Sequence, residues 1–137
     1  MIKSTAITDA RILIVDDMPS NVLLLERILE RDGFTHIKTS TDAREVLPAF
    51  AAFAPDILLL DLHMPHIQGF EILNRLQCEL SEDVFIPVLV LTADVSKASR
   101  DAALIAGAHD FLTKPFDPVE VVLRIRNLLQ TRMLHVR

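Results

Sequence analysis

The chain has 137 residues, half of them hydrophobic and 24% charged, with a formal net charge of −5. That length gives room for one domain with a real core, and an acidic balance without a basic run argues against a nucleic-acid-binding surface. A single cysteine leaves no internal disulfide and suits a reducing cytoplasm, no apolar run approaches the ~20 residues of a membrane span, and the opening MIKSTAITDAR lacks a signal-peptide pattern.

Residues 1–9 read as an N-terminal tail. "RILIV" at 11–15 is a continuous apolar run, and Asp16 and Asp17 follow it directly. Residues 19–32 have a helical period that puts Val22, Leu25, Ile28 and Leu29 on one face, with Gly33 placed as a left-handed C-cap. "HIKT" at 36–39 is a weaker strand candidate. In "DAREVLPAFAAF", Pro48 would delete a helical hydrogen bond and clash with the preceding turn, so that helix is expected to kink or to begin late. "DILLL" at 56–60 is the second strong run and leads straight into Asp61. Beyond it, Met64-Pro65 and Gly69 shape a loop that leaves the carboxylate open.

Phe70, Leu73, Leu76 and Leu80 share the next helical face, and Cys78 in that segment reads as a small helix residue without chemistry. "IPVLVLT" at 86–92 ends in Thr92. The region 96–106 is a weaker, alanine-rich helix closed by Gly107. "DFLT" at 110–113 precedes Lys114, and Asp117-Pro118-Val119-Glu120 reads as N-cap, proline at N1 and Glu at N3 of a last helix. Val121, Ile125, Leu128 and Leu129 form its apolar face. Apolar runs without period-2 alternation mark strands buried on both faces, and strand-helix order repeated along the chain indicates a doubly wound α/β fold with a parallel sheet.

In such a sheet, sites form beyond the carboxyl ends of the strands. Asp16 and Asp17, Asp61, Thr92 and Lys114 each follow or end a different strand. Singly they could be a helix cap, a turn, a strand residue and a solvated charge. Together at one edge they point to a site. Three carboxylates within ~5 Å repel by roughly 3 kcal/mol per pair at an effective dielectric near 20. Their pKa values rise unless a cation neutralises them. Oxygen-only ligands on an open strand edge suit Mg²⁺ or Mn²⁺. A carboxylate beside such a metal, a hydroxyl and an ammonium is set up to take a phosphoryl group.

"IVDD" at 14–17, "LLLDLHMPHIQGFE" at 58–71, "VLVLTA" at 88–93 and "GAHDFLTKPF" at 107–116 together resemble the receiver domain of bacterial two-component response regulators, of the chemotaxis-regulator type. The resemblance covers about residues 10 to 130 and implies a five-stranded flavodoxin-like sheet of order 2-1-3-4-5 with helices on both faces. It implies that Asp61 is the phosphoacceptor. Asp17 and Asp61 would bind Mg²⁺ directly with the backbone carbonyl of His63, and Asp16 would act through a bound water. Thr92 would hydrogen-bond the phosphoryl group, Ala93 would keep that side of the site small, and Lys114 would pair with the phosphoryl group. Phe111 occupies the family's switch position, its rotamer following Thr92, and Lys114-Pro115 would be a cis peptide. In that strand order, neighbours ~4.8 Å apart bring short Asp and Thr side chains to Asp61, whereas the strand carrying the long lysine lies ~10 Å away.

The side chains of His63 and Asp94 occupy positions that modulate phosphoryl lifetime in this family. His63 and His66 also have His-x-x-His spacing, but with no cysteine nearby loop decoration is the plainer reading than a transition-metal pair. The last helix continues its pattern through Met133 and Val136, and Arg124, Arg126, Arg132 and Arg137 are expected on a solvated or partner-facing side. "LLQTRMLHVR" at 128–137 resembles the junction to a C-terminal output module, cyclic-di-GMP phosphodiesterases included; residues 131–137 are either that lead or the extended last helix of a free-standing receiver, through which a homodimer could pair. The implied function is a cytoplasmic phosphoacceptor switch, not an enzyme beyond autodephosphorylation. A sensor histidine kinase or phosphotransfer protein would load it, and the fourth helix, fifth strand and fifth helix would form the switched face. The rival is a Mg²⁺-dependent phosphohydrolase of the haloacid-dehalogenase type with Asp61 as nucleophile. That chemistry wants a second aspartate two residues on, where this chain has His63.

Overall fold

The computed structural model of the chain describes residues 6–64, 69–80 and 84–135. Five strands, β1 (Arg11–Val15), β2 (His36–Ser40), β3 (Ile57–Asp61), β4 (Val88–Thr92) and β5 (Asp110–Thr113), alternate with five helices. These are α1 (Pro19–Arg31), α2 (Val46–Phe53), α3 (Gly69–Glu79), α4 (Lys97–Ala106) and α5 (Pro118–His135). The strands are all parallel in the order β2-β1-β3-β4-β5, the doubly wound arrangement expected.

The unalternating apolar runs have a direct cause. β3 and β4 are buried at every position, because successive side chains point to opposite faces and both faces carry helices. Leu13, Leu58, Leu60 and Val90 pack with Val46, Phe50, Leu73 and Ala103 on the side of α2, α3 and α4. Ile12, Ile14, Leu59 and Leu91 pack with Leu25, Leu29, Val121 and Ile125 on the side of α1 and α5. Each such side chain contributes about 1.5–3 kcal/mol by leaving water. These two layers hold the strand ends in place.

Pro48 has the milder of its two expected effects. α2 begins only at Val46, so Pro48 sits in the first turn, where no intrahelical N–H bond is lost. The residues before it, Ala43–Glu45, form a short 3-10 turn capped by Asp42, whose carboxylate accepts from the Arg44 amide. Gly33 (φ 102°) and Gly107 (φ 117°) are left-handed helix ends, as expected. The end of α2 is less orthodox: Ala54 takes φ 52° without being glycine, and its amide donates to Phe50 O.

The arginines of α5 correct an expectation. Arg124, Arg126 and Arg132, expected on a solvated or partner-facing side, are instead each paired with an acid of the domain itself while Arg124 and Arg126 stay partly exposed. Arg124 Nη1 donates to Asp110 Oδ1 at 2.7 Å, Arg126 Nε to Asp32 Oδ2 at 2.7 Å, and Arg132 Nε to Asp56 Oδ1 at 2.9 Å. Arg132 also reaches the Phe85 carbonyl at 2.5 Å. An 18-residue helix is ~27 Å long and packs beside α1, β3 and β5, so its guanidiniums meet acids that lie far apart in sequence. Asp56 is a hub, for its other oxygen accepts from the Arg11 amide at 2.8 Å. The helix is therefore tied to the body as far as Arg132, and Ile7, in the 3-10 turn Ile7–Asp9, packs against the core before β1 begins. Pro65, His66, Val136 and Arg137 lie outside the described residues. No helix among the described residues is long and apolar enough to cross a membrane.

Candidate functional site

β1 and β3 run side by side with Val15 opposite Leu60, so the chain delivers Asp16 and Asp61 to the same rim. Asp16 is fully buried, and Asp61 is 2% exposed rather than left open by its loop as expected, while Asp17 is half-buried. Each of the three brings a carboxylate oxygen within 4.8 Å of the others. From β5, Lys114 reaches over β4: its Nζ lies 3.0 Å from Asp16 Oδ2 and 3.3 Å from Asp61 Oδ2. The Lys114 amide donates to the Thr92 carbonyl at 2.9 Å, which fixes the start of that reach, and Lys114-Pro115 is cis as expected.

Local bonds orient the acids. Asp16 Oδ1 accepts from the Met18 amide at 2.9 Å, at the entry to α1, and the Asn21 amide group stands 3.3 Å from Asp16 Oδ2. The role of Asn21 was not anticipated; its only sequence signal is a place one turn into the helix after the acids. Asp61 Oδ1 accepts from the His63 amide at 3.1 Å, the same turn geometry at the end of β3. Gly69 opens α3 directly against this turn, its amide donating to Leu62 O at 2.9 Å.

Thr92 is 4% exposed at the end of β4. Its Oγ1 accepts from the Asp94 amide at 2.9 Å, while its own hydrogen is held only by a 3.4 Å contact to Asp94 O. The hydroxyl thus shapes the β4–α4 loop and keeps a weakly committed donor at the rim. Ala93 is exposed beside it. The Asp94 carboxyl lies below the ordinary aspartate range, chiefly through the Ser96 amide, with a smaller share from His63. Phe111, opposite Val90 in the sheet, is half-buried and packs against the α2–α4 side of the core. His63 is exposed, and its intended partner His66 is outside the described residues.

Burial pushes the Asp61 carboxyl up to about 6, opposed by the His63 amide, reinforced by Asp16 and again opposed by Lys114. Burial alone would lower Lys114, but its bond to Asp16 and the charges of Asp61 and Asp16 raise it on balance. Ionised, the pocket holds three negative charges against one ammonium. An all-oxygen donor set with a surplus of negative charge fits a hard divalent cation. Such a cation must compete with the proton on Asp61. The apparent Mg²⁺ affinity is therefore expected to be flat above pH 6 and to fall by about tenfold per pH unit below it. Titrations at pH 5, 6 and 7.5 would read this, and an affinity constant across that range would refute it.

A family model described as "Response regulator receiver domain" matches residues 12–126. The transcriptional regulatory protein TrcR of Mycobacterium tuberculosis is 38% identical over 120 residues, which cover 88% of this chain and 45% of that protein. The response regulator PleD of Caulobacter vibrioides is 38% identical over 125 residues, 91% of this chain and 27% of that protein. The chain thus spans half or less of the length of these two relatives. Among solved structures, the chemotaxis response regulator CheY4 of Vibrio cholerae superposes with a TM-score of 0.80 at 28% identity, covering 88% of this chain and 98% of that one.

Proposed function

The chain belongs to the response regulator receiver domains, and from that membership we propose that Asp61 is the carboxylate that takes the phosphoryl group. The observation that supports this most is the placement of Asp61: almost wholly buried, 3.3 Å from the Lys114 ammonium, with two further acids beside it. A carboxylate oxygen of Asp61 attacks phosphorus, the P–N bond to a donor imidazole breaks, and its electron pair leaves with that nitrogen. Lys114 offsets charge on the transferred oxygens, and the hydroxyl of Thr92 turns from Asp94 O to donate to one of them. Asp17 and Asp61 with the His63 carbonyl, and Asp16 through water, would hold Mg²⁺, which when bound neutralises charge on the phosphoryl group.

Movement of Thr92 then draws Phe111 and changes the face made by α4, β5 and α5. A full switch, from 1:99 to 99:1, requires ~5.5 kcal/mol of preference for the active state. A sensor histidine kinase or phosphotransfer protein in the cytoplasm is the proposed donor, with autodephosphorylation as the reset. Residues 10–130 form the receiver, and 131–137 lead towards an output domain, a reading supported by the greater length of the relatives. The phosphohydrolase alternative finds no support: the matched family is the receiver domain, and the position where that chemistry needs an acid holds the exposed His63.

Acetyl phosphate with Mg²⁺ is expected to add one phosphoryl group to the chain by intact mass, and excess EDTA to prevent it. Labelling that ignores EDTA, or steady turnover of a generic phosphate ester, would contradict the assignment.

A further inference from the structure

The Phe111 ring has a cation above it. The Arg100 guanidinium carbon, on the exposed side of α4, lies 5.8 Å from the ring centroid. Among the described residues, Phe111 is also held through its backbone and by packing on the core. Its amide donates to Asp110 Oδ1 at 2.8 Å, and that carboxylate is itself held by Arg124 at 2.7 Å. The side chain packs against the core on the α2–α4 side. Of the neighbouring charges on α4, Lys97 and Asp101 are engaged with each other at 2.6 Å, which leaves the Arg100 guanidinium for the aromatic face.

We propose that Arg100 is a positioning residue that holds the Phe111 ring in its half-buried place and so sets how readily the domain switches. The inference rests on the reading of Phe111 as the switch residue. Its physical content is a bias on one equilibrium. A guanidinium over a ring face stabilises the conformer that offers that face, and an aromatic side chain that moves with Thr92 must give up this contact. A ligand that selects the moved state binds less tightly by the same factor. For an exposed pair this is about two- to fivefold.

The test is the affinity of beryllofluoride, a phosphoryl mimic, at saturating Mg²⁺. It is measured for the wild type, Arg100→Ala and Arg100→Lys, and for the same three in a Phe111→Leu background. Arg100→Ala is expected to bind about two- to fivefold more tightly than wild type. Arg100→Lys, which keeps a cation near the ring, should stay closer to wild type. In the Leu background, replacing Arg100 should change nothing, because there is no ring to hold. Equal gains in both backgrounds would mean that Arg100 acts without the ring and would overturn the proposal. So would unchanged or weaker binding by Arg100→Ala while wild type binds normally. A wild type that does not bind beryllofluoride, or an Asp61→Asn variant that binds it equally well, would overturn the phosphoacceptor reading and this inference with it.

Discussion

Asp61→Asn is expected to abolish phosphoryl uptake from acetyl phosphate and, in the same protein, to raise stability at neutral pH without divalent cations. Both effects come from one placement. The folded carboxyl titrates near 6 instead of 3.8, chiefly because it is buried, so above pH 6 the folded state carries a charge it holds less well than the unfolded chain does. The difference amounts to about 3 kcal/mol at 1.36 kcal/mol per unit. Asparagine removes the charge but also one partner of Lys114, which keeps Asp16 at 3.0 Å. A net gain of about 1–2 kcal/mol is expected at pH 7.5, seen as a Tm higher by roughly 2–6 °C. The raised pKa fixes the pH dependence. The wild type regains this stability as pH falls from 6 to below 4, so the advantage of the variant should shrink over that interval. Mg²⁺ should close the gap from the other side by binding the wild type alone. An Asn variant that melts lower than wild type at pH 7.5 would show that Asp61 ionises there without cost.

Gly69→Ala should damage the site from outside it. A Cβ on Gly69 would lie 2.6 Å from Leu62 Cα and 2.8 Å from Asp61 O, and backbone cannot rotate away as a side chain can. Either α3 retreats or the peptide that follows Asp61 shifts. Overpacking of this kind costs about 1–3 kcal/mol. The displaced peptide also holds the His63 amide bond to Asp61, so Mg²⁺ affinity is expected to fall by about tenfold. Gly107→Ala is the matched comparison. It is strained by φ +117° and overlaps the side chain of Gln77, but it touches nothing at the acidic rim. It should destabilise comparably and leave Mg²⁺ affinity within about twofold of wild type. Equal losses of Mg²⁺ affinity in both variants, by calorimetric titration, would remove any special role for the approach of Gly69.

What the sequence made legible is what repetition and strand ends encode. "RILIV" coincides with β1 residue for residue because a strand covered on both faces reads as a short unalternating run of branched apolar side chains. β2 was weaker in sequence because it is an edge strand whose exposure alternates. Asp16, Asp17, Asp61 and Lys114 could be assigned to one rim because each follows or ends a strand of a parallel sheet, and the strand order implied by the family resemblance then matched each side chain's length to its distance. Contacts between distant segments were not legible. Arg126 meets Asp32 and Arg132 meets Asp56 only because a long helix crosses two sheet ends, and no periodicity in α5 announces it. Arg100 over Phe111 and the left-handed Ala54 are of the same kind: each depends on where a neighbouring element comes to rest.

The three arginine ties of α5 have a mechanical consequence. A rod riveted twice near its middle and once near its far end resists bending between those rivets. A tilt imposed at the β5 end would be carried along the helix as far as Arg132.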